Sequence, residues 1–246
     1  MRRITVMTYN VRSCRGTDGR HRPERVAEVI AAHRPDVVAL QELDVGHPRS
    51  GGIDQPQHIA ESLRMHWCFC AAFTTGDAHY GHAVMSRYPL TTVRSGPLPT
   101  LTGTIGLERR AALWVEIQVD DARVQLMSTH LGLLALEQHV QVEALLSSDW
   151  LGDLRCDPPI VLVGDFNAGP GSGPYQQLSG PLRDAWSVAE HRGPRRTWPA
   201  PFALMSLDHV FVSPDVRVIE VRAIRSGSAR RASDHRPVLA ELMLPV

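Results

Sequence analysis

The sequence has few cysteines and no long apolar run. Its four cysteines form no CxxC pair and no spacing typical of a zinc site. A chain of 246 residues can bury a core without disulfides, so we expect free thiols in a reducing compartment. The longest apolar runs, such as Val37–Leu40 and Ile160–Val163, have the length of strands and are far too short to span a bilayer. We therefore expect no stable membrane insertion.

The chain also lacks an excess of charge of either sign, because 26 basic residues balance 26 acidic ones. A protein that grips long stretches of nucleic acid usually carries a basic excess. The balance disfavours that class without excluding it, since an enzyme binds one scissile phosphate through a metal ion and a few arginines. The N-terminal MRRITVMTYNVR has no apolar stretch after its two arginines, so we expect no signal peptide and a cytoplasmic protein.

What the sequence contains is a succession of short apolar strands and a few helices, with no repeat and no long linker, which predicts one domain of residues 1–246. Helices are predicted at Pro23–His33, Gln57–Leu63 and Glu137–Trp150. Strands are predicted at Ile4–Asn10, Val37–Leu40, Ala83–Ser86, Ala111–Val119, Arg123–Ser128, Ile160–Val163, Leu207–Val212, Val216–Arg222 and Val238–Leu244. Several strands are linked as hairpins, so the pattern favours an α/β sandwich of two packed sheets with helices outside.

Residues suited to metal or proton chemistry recur where these strands end. They are Asn10, Glu42, His130, Asp165 with Asn167, Asp208, and the pair Asp234-His235. The loops at the strand ends of a sandwich gather on a common edge, so we expect these side chains to converge in one cleft.

This set of residue types meets the needs of phosphate-ester hydrolysis. A hard cation such as Mg²⁺ prefers oxygen ligands, which Glu42, Asp234 and Asn10 supply. A base must activate water, and another group must stabilise the leaving oxygen. Asp208 is suited to hold His235 in one tautomer. Asp165 and Asn167 are expected near the attacking water and the phosphoryl oxygens.

Six motifs occur in a fixed order along the chain. They are TYN (Thr8–Asn10), QE (Gln41-Glu42), STHL (Ser128–Leu131), GDFN (Gly164–Asn167), LDHVF (Leu207–Phe211) and SDHRPV (Ser233–Val238). In this order they resemble the endonuclease/exonuclease/phosphatase superfamily, the fold of DNase I-like enzymes. Each motif alone is weak, but the ordered set spans nearly the whole chain and is specific.

The resemblance implies a four-layered α/β sandwich of two packed mixed β-sheets flanked by helices, and Mg²⁺- or Mn²⁺-dependent hydrolysis. Glu42 matches the principal metal ligand, and Asn10 and Asp234 match residues that help to bind the metal. Asp165 matches the residue that orients water or assists the leaving group, and Asn167 one that contacts phosphate.

The resemblance also implies that His130 and His235 flank the scissile phosphate, with Asp208 as the partner of His235. Which histidine acts as base and which as acid stays open, as does the number of metal ions. Taken singly, these residues have structural interpretations: His130 as a core histidine, or residues 234–237 as a solvated turn.

Other polar residues have no such ordered context. We interpret His47, His58, His79 and His82 as surface or loop residues, although His82 is also a candidate for the cleft. Arg109 is either part of a solvated pair with Arg110 or a substrate-binding residue that reaches a phosphate with its guanidinium fork. Residues 97–110 are expected to form a substrate-side loop, and their sequence does not match the DNA-gripping loops of nucleases.

The leading hypothesis is a metal-dependent phosphodiesterase or phosphatase, expected to be a monomer. The neutral charge slightly favours a small-molecule or lipid-headgroup phosphoester as substrate. An endonuclease or exonuclease acting on DNA or RNA is the alternative within the same chemistry. A non-catalytic binding module on the same fold is the alternative from another class, disfavoured because no expected acid, amide or imidazole is missing.

Overall fold

The computed structural model describes residues 1–101 and 107–245, which form two β-sheets and six α-helices. The strands are β1 (Arg2–Asn10), β2 (Val37–Val45), β3 (His66–Thr75), β4 (Ala78–Ser86), β5 (Leu90–Pro97), β6 (Ala111–Val119), β7 (Ala122–His130), β8 (Ile160–Asp165), β9 (Arg183–Asp184), β10 (His191–Arg192), β11 (Asp208–Val212), β12 (Arg217–Ala223) and β13 (Val238–Leu244). The helices are α1 (Pro23–His33), α2 (Gln55–Leu63), α3 (Ala135–Leu146), α4 (Gly173–Leu178), α5 (Ala185–Val188) and α6 (Gly227–Ala232). None of the helices in these two ranges is long and apolar enough to cross a membrane.

Both sheets mix parallel and antiparallel pairs. The first has the strand order β10-β12-β13-β1-β2-β4-β3, and the second has the order β5-β6-β7-β8-β11-β9. β1 lies in the middle of the first sheet, antiparallel to β13 and parallel to β2. In the second sheet, β7 and β8 run parallel and β11 runs antiparallel to β8.

Three apolar clusters separate four layers. Alternation along β1 sends Ile4 and Val6 into the cluster between the sheets, and Met7 and Tyr9 into the cluster beneath α1, α2 and α6. The third cluster lies between the second sheet and the helices α3 and α4, around Trp114. The predicted four-layered α/β sandwich is therefore confirmed.

Several element boundaries differ from the prediction. β2 does not end at Leu40 but continues to Val45, past an irregularity between Leu40 and Leu43. β3 and β5 were not predicted, because few of their side chains are buried and alternation is weak. Helix α3 does not reach Trp150; it ends at Leu146, where Ser147 turns to an extended backbone and its hydroxyl donates to the Ala144 carbonyl.

The sheet registers bring strand ends from distant parts of the chain to one edge. His130 at the end of β7 pairs with Asp165 at the end of β8, and Asp165 pairs in turn with Asp208 at the start of β11. In the other sheet, Asn10 at the end of β1 pairs with Gln41 in β2. The packing of the two sheets places these ends around a single cleft.

Candidate active site

Glu42 enters the cleft through the irregularity in β2. Its backbone is left-handed, with φ +61°, a conformation that non-glycine residues adopt at a cost of about 1–3 kcal/mol. The register shift between Leu40 and Leu43 turns its side chain out of the regular alternation of the strand. The carboxylate stays partly accessible, with its side chain 23% exposed. Strain of this kind persists where the surrounding structure enforces it, as it does at many functional sites.

Asn10 joins the two sheets at the floor of the cleft. Its amide nitrogen donates to Glu42 Oε1 at 2.7 Å and to Asp165 Oδ2 at 2.9 Å. Its amide oxygen accepts from the backbone N–H of Arg12 at 3.0 Å, which fixes the orientation of the amide. In this arrangement, the predicted metal contact through the oxygen of Asn10 requires the amide to turn.

His235 lies between two carboxylates. Its Nδ1 is 2.9 Å from Asp208 Oδ2, and its Nε2 is 3.6 Å from Asp165 Oδ2. Burial alone lowers the pKa of His235, but the negative charges of Asp208 and Asp165 outweigh it and raise the pKa well above its ordinary value. The predicted pairing of Asp208 with His235 is present, and the two carboxylates favour the protonated form of the imidazole.

Burial also raises the pKa of Asp165, and the neighbouring negative charge of Asp208 raises it further. The positive charge of His235 lowers this pKa but does not outweigh the two effects. Ligand atoms of Asp165, Asp208 and His235 lie within 4.8 Å of one another, a spacing compatible with a metal ion. Without an ion, the raised pKa of His235 favours its protonated form, whereas a cation bound there would displace that proton. The chemistry of these three residues therefore suits either a shared proton or a metal ion.

His130 is buried against Asp165 on the other side. Burial, the cation of Arg110 and the neighbouring His82 hold the pKa of His130 well below its ordinary value. Two donors, Arg110 Nη1 and Asn167 Nδ2, each lie 3.1 Å from one of its ring nitrogens. A neutral imidazole has one acceptor nitrogen and one N–H group, so only one of these two donors can form a hydrogen bond with the ring. The two histidines of the site thus differ in charge.

Arg110 was not recognised from the sequence as part of the site, and His82 was interpreted as a surface or loop residue with the cleft as the alternative. Arg110 is buried, whereas the predicted substrate residue Arg109 is exposed to solvent. The interpretation of His82 as a surface or loop residue is wrong, because it lies in β4 with 2% of its surface exposed and its ring 6.3 Å from that of His130. Its inward position follows from the alternation of β4, a strand predicted to begin only at Ala83.

A chain of buried hydroxyl and amide groups links the two sheets near this cleft. Thr8 Oγ1 donates to Gln41 Oε1 at 3.3 Å, and Gln41 Nε2 donates to Ser128 Oγ at 3.2 Å. These three residues belong to the motifs TYN, QE and STHL, and all three are fully buried. In the structure these side chains satisfy one another's hydrogen-bonding groups. They also fix the spacing of the strands that carry Asn10, Glu42 and His130.

The cleft widens beside Glu42 into a space of about 630 Å³. Four basic residues (Arg12, Arg15, His21 and Arg49) line it, together with Glu42, Glu108, Phe73 and Tyr80. Arg12, Ser13 and Cys14 all have left-handed backbones, with φ values of 50–55°. Three such residues in succession form a strained turn, and this turn sets Arg12 and Arg15 against the cleft.

The strained turn is fixed by hydrogen bonds from elsewhere in the chain. The carbonyl of Ser13 accepts from Gln55 Nε2 at 2.8 Å and lies 2.8 Å from His21 Nδ1. Gln55 is fully buried at the start of α2, and its side-chain oxygen accepts from the Asp44 backbone N–H. Arg49 donates to both oxygens of the buried Asp44 carboxylate and to the Ser13 hydroxyl. The surrounding network therefore enforces the conformation.

The donor set around Glu42 fits a hard divalent cation. Burial raises the pKa of Glu42, and the charges of Glu108 and Asp234 add to this effect. In the described ranges, the nearest ionisable nitrogen to its carboxylate is Nδ1 of His130, 4.0 Å away on a ring held neutral. Asp234 is 28% exposed and lies 3.4 Å from Arg12 Nε. Glu42, which has no charged nitrogen beside it in the part of the chain that the structure describes, and the partly accessible Asp234 offer the oxygen ligands that Mg²⁺ or Mn²⁺ takes.

Comparisons with known proteins agree with this geometry. A family model for the endonuclease/exonuclease/phosphatase family matches residues 7–235. The uncharacterised protein YbhP of Escherichia coli K12 is 29% identical over 223 residues, which cover 85% of this chain and 83% of YbhP.

Two solved structures from Bacteroides thetaiotaomicron share the fold. An endonuclease/exonuclease/phosphatase family protein superposes with a TM-score of 0.81 at 20% identity, covering 100% of this chain and 99% of that one. A mannosyl-6-phosphatase superposes with a TM-score of 0.80 at 22% identity, covering 98% and 100%. Since the family model matches almost the entire chain and the sandwich is shared, this protein belongs to the endonuclease/exonuclease/phosphatase family.

Proposed function

We propose that this protein is a hydrolase of phosphate esters that depends on Mg²⁺ or Mn²⁺. The observation that carries the proposal is the convergence of Glu42, Asp165, His130 and His235 in one cleft, where His130 lies 4.0 Å from Glu42 and both imidazoles lie 3.6 Å from Asp165. Glu42 and Asp234 would hold the metal, with Asn10 as a further predicted ligand. The bound cation would neutralise negative charge on the phosphoryl group.

The side chains of the site suit distinct steps of the hydrolysis. Asp165, whose pKa is raised by burial, is suited to accept the proton of the attacking water as the new P–O bond forms. Protonated His235, held by Asp208, faces the same space and stabilises the charge that develops as the ester P–O bond breaks. Asn167 and neutral His130 supply hydrogen-bonding groups on the opposite side, and Arg109 is the predicted further phosphate contact.

For the substrate, we favour a small-molecule or lipid-headgroup phosphoester. The space beside Glu42 is about 630 Å³, within the range of pockets that enclose small ligands. Its lining combines Arg12, Arg15 and Arg49 with the tilted aromatic pair Phe73 and Tyr80. The formal net charge of zero also supports this preference over a nucleic acid.

The direct test is hydrolysis of bis(p-nitrophenyl) phosphate with Mg²⁺, Mn²⁺ or EDTA. Glu42→Gln and His235→Ala should each reduce the rate by on the order of a hundredfold or more, since each removes a charge placed at the reacting group. Glu61→Gln and His66→Ala are matched controls, because both residues are exposed on α2 and β3 and should leave the rate unchanged. Equal rates for Glu42→Gln and Glu61→Gln would contradict the proposal.

A substrate panel separates the alternatives within the class. Plasmid DNA, single-stranded oligonucleotides, phospholipids and inositol phosphates should each be offered with Mg²⁺, Mn²⁺ and EDTA. Preferential turnover of a lipid or small phosphoester supports our preference. Rapid nicking of plasmid DNA would instead establish a nuclease, and metal binding without turnover of any substrate would favour a binding module.

A further inference from the structure

The edge that carries the site also carries an unusual concentration of exposed apolar side chains. Two segments leave the second sheet there: residues 131–136 after β7, and residues 199–206 before β11. Six of the nine large apolar residues that are exposed in the described ranges lie on these segments: Leu133, Leu134, Leu136, Phe202, Leu204 and Met205. Single exposed apolar residues are ordinary, but a cluster on one edge marks an interaction surface.

A second feature of this edge is a cavity of about 960 Å³ walled by arginines. Its charged residues are Arg195, Arg196, Arg225, Arg230 and Arg236, and no acidic residue is among the described residues that line it. We call it the arginine pocket. Phe202 lines the same cavity, so the apolar segment and the arginine pocket are continuous.

Most of this charge is uncompensated. Arg195 pairs with Asp184 at 2.6 Å, whereas the other four arginines form no ion pair within residues 1–101 and 107–245. Arg236 is only 6% exposed, and its Nε donates to the Ala200 carbonyl at 2.8 Å. Arg236 is thus a buried cation without a carboxylate partner, which is costly, and the exposed Arg196, Arg225 and Arg230 add to the positive charge beside it, so the arginine pocket favours an anionic ligand.

The chemistry of the arginine pocket favours phosphate groups. The chain contains no lysine, so every basic side chain that lines this cavity is a guanidinium, whose fork matches phosphate oxygens bidentately. The neighbouring Leu204 and Met205 are aliphatic and gain little from stacking on bases, but they gain by leaving water at the boundary of a bilayer. A surface of anionic phospholipids therefore satisfies the arginines and all six exposed apolar side chains, whereas a nucleic acid would satisfy the arginines and, by stacking, Phe202 alone.

We propose that this edge docks on a membrane surface that contains anionic phospholipids. The arginine pocket binds headgroup phosphates, and the two apolar segments enter the headgroup boundary on either side of the site. Backbone hydrogen bonds couple the pocket to the site, because Ala200 N–H donates to the Asp234 carbonyl and Arg236 N–H donates to the Thr197 carbonyl. Docking thus presents the cleft to the bilayer; the inference that a membrane phosphoester is hydrolysed there rests on the proposed function.

The test is binding to sonicated vesicles in EDTA, measured by cosedimentation. The intact protein should bind vesicles of phosphatidylglycerol and phosphatidylcholine at least tenfold more tightly than vesicles of phosphatidylcholine alone. The double variants Arg225→Glu/Arg230→Glu and Phe202→Ser/Leu204→Ser should each weaken that binding by at least about tenfold. Added NaCl should weaken the vesicle binding that depends on Arg225 and Arg230 more than the binding that depends on Phe202 and Leu204.

Matched controls lie at the opposite edge of the sheet. Arg123→Glu changes an exposed arginine near the start of β7, and Leu154→Ser changes a leucine that is 94% exposed. Both should bind as the unaltered protein does, and circular dichroism should show all variants folded. Equal binding to the two vesicle types, or equal loss in the control variants, would overturn the docking proposal.

Two further outcomes separate the possible failures. If a 30-nucleotide strand binds through Arg225 and Arg230 more tightly than the vesicles do, the pocket is a nucleic-acid site and membrane docking is wrong. Hydrolysis of the soluble substrate bis(p-nitrophenyl) phosphate should be unchanged in the Arg225→Glu/Arg230→Glu variant. Retained hydrolysis with no vesicle binding would reject docking alone, whereas vesicle binding with no hydrolysis would reject the proposed function alone.

Discussion

Asp208 acts on the site through a single charged contact with His235. In Asp208→Asn the acceptor remains, but the charge that outweighs burial is reduced, so the pKa of His235 should fall. We expect the rate of hydrolysis to fall by on the order of 10²- to 10⁴-fold, as for a histidine that loses its orienting carboxylate. NMR titration of the His235 ring and the rate of hydrolysis would be measured on the same variant.

A matched control for this prediction is the exposed pair of His58 and Glu24, which lie 3.2 Å apart. Glu24→Gln removes a carboxylate from a histidine without touching the site, so the rate should stay unchanged. An Asp208→Asn variant that keeps both the titration of His235 and the rate would refute the assigned role of Asp208.

His82 makes the stability of the fold sensitive to acid. Burial, with a smaller effect of Arg110, lowers its pKa from 6.5 to about 3, so the folded ring stays neutral while the unfolded ring takes up a proton below pH 6.5. The contribution of the neutral His82 ring to the free energy of unfolding is therefore present above pH 6.5 and is lost as the pH falls toward 3. Between pH 7.5 and 5.0 the loss should be roughly 2 kcal/mol in the free energy of unfolding.

Replacing His82 by an apolar ring isolates its pH-dependent contribution to stability. In His82→Phe, the difference between the free energies of unfolding at pH 7.5 and pH 5.0, measured by urea denaturation, should shrink by roughly 2 kcal/mol. His66→Phe, at an exposed position in β3, should keep the full difference. The same slope in both variants would mean that His82 is not held neutral by the fold.

At the scale of residues, the sequence was informative where a polar type stands in an ordered motif. Asn10, His130 and Asp165 were predicted to converge, and they do. Arg110 was not recognised and His82 was left between the surface and the cleft, because their importance depends on burial against His130, a contact between segments far apart in sequence. Local patterns do not encode such contacts. The catalytic and metal-binding roles of the predicted residues stay predictions until the variants are measured.

At the scale of elements, the contact between β7 and β8 depends on Gly164. Its φ is +152°, and a Cβ there would lie 1.9 Å from the Thr129 carbonyl oxygen. Gly164→Ala should therefore force the strands apart and displace the adjacent Asp165, with a loss of at least about 3 kcal/mol in the free energy of unfolding. Urea denaturation measures this loss.

Gly96 provides the control within the same sheet. A Cβ at this position in β5 would meet no atom within 4 Å. Gly96→Ala should change the free energy of unfolding by less than about 0.5 kcal/mol. If the two alanine variants unfold alike, the close approach at Gly164 does not control the packing of β7 on β8.

Helices and strands are predicted from the sequence where their boundaries have local signals. Helix α1 was predicted over Pro23–His33 and is observed with those bounds, because its proline start and apolar spacing are local signals. The continuation of β2 through Glu42 was not predicted, since the left-handed residue at its irregularity looks like the end of a strand. The pairing order of the strands is set by long-range packing and has no local signature.

At the scale of the whole molecule, the site places the carboxylates of Glu42, Glu108 and Asp234 near one another. Their repulsion should lower the free energy of unfolding until a cation binds. A metal that binds only the folded state raises the melting temperature, by about 5 °C or more once its concentration is near a hundred times its dissociation constant. Mg²⁺ and Mn²⁺ should do so here, and EDTA should reverse the effect. Differential scanning fluorimetry gives the shift.

Glu42→Gln should abolish that shift and separate stability from function. In EDTA its melting temperature should equal or exceed that of the unaltered protein, because an ionised carboxylate near Glu108 and Asp234 is no longer buried. Glu61→Gln should keep the full metal-dependent shift. An undiminished shift in Glu42→Gln would place the metal elsewhere.

The pairing of β1 with β13 governs when the candidate site can assemble during synthesis. Arg2 pairs with Leu244 and Thr8 with Val238, so the strand that carries Asn10 finds this neighbour only when the last strand has left the ribosome. Asp208, Asp234 and His235 also emerge late, long after Glu42. A nascent chain that has not yet reached Val238–Leu244 therefore lacks part of the frame that holds Asn10, and the candidate site assembles only after that strand has been synthesised.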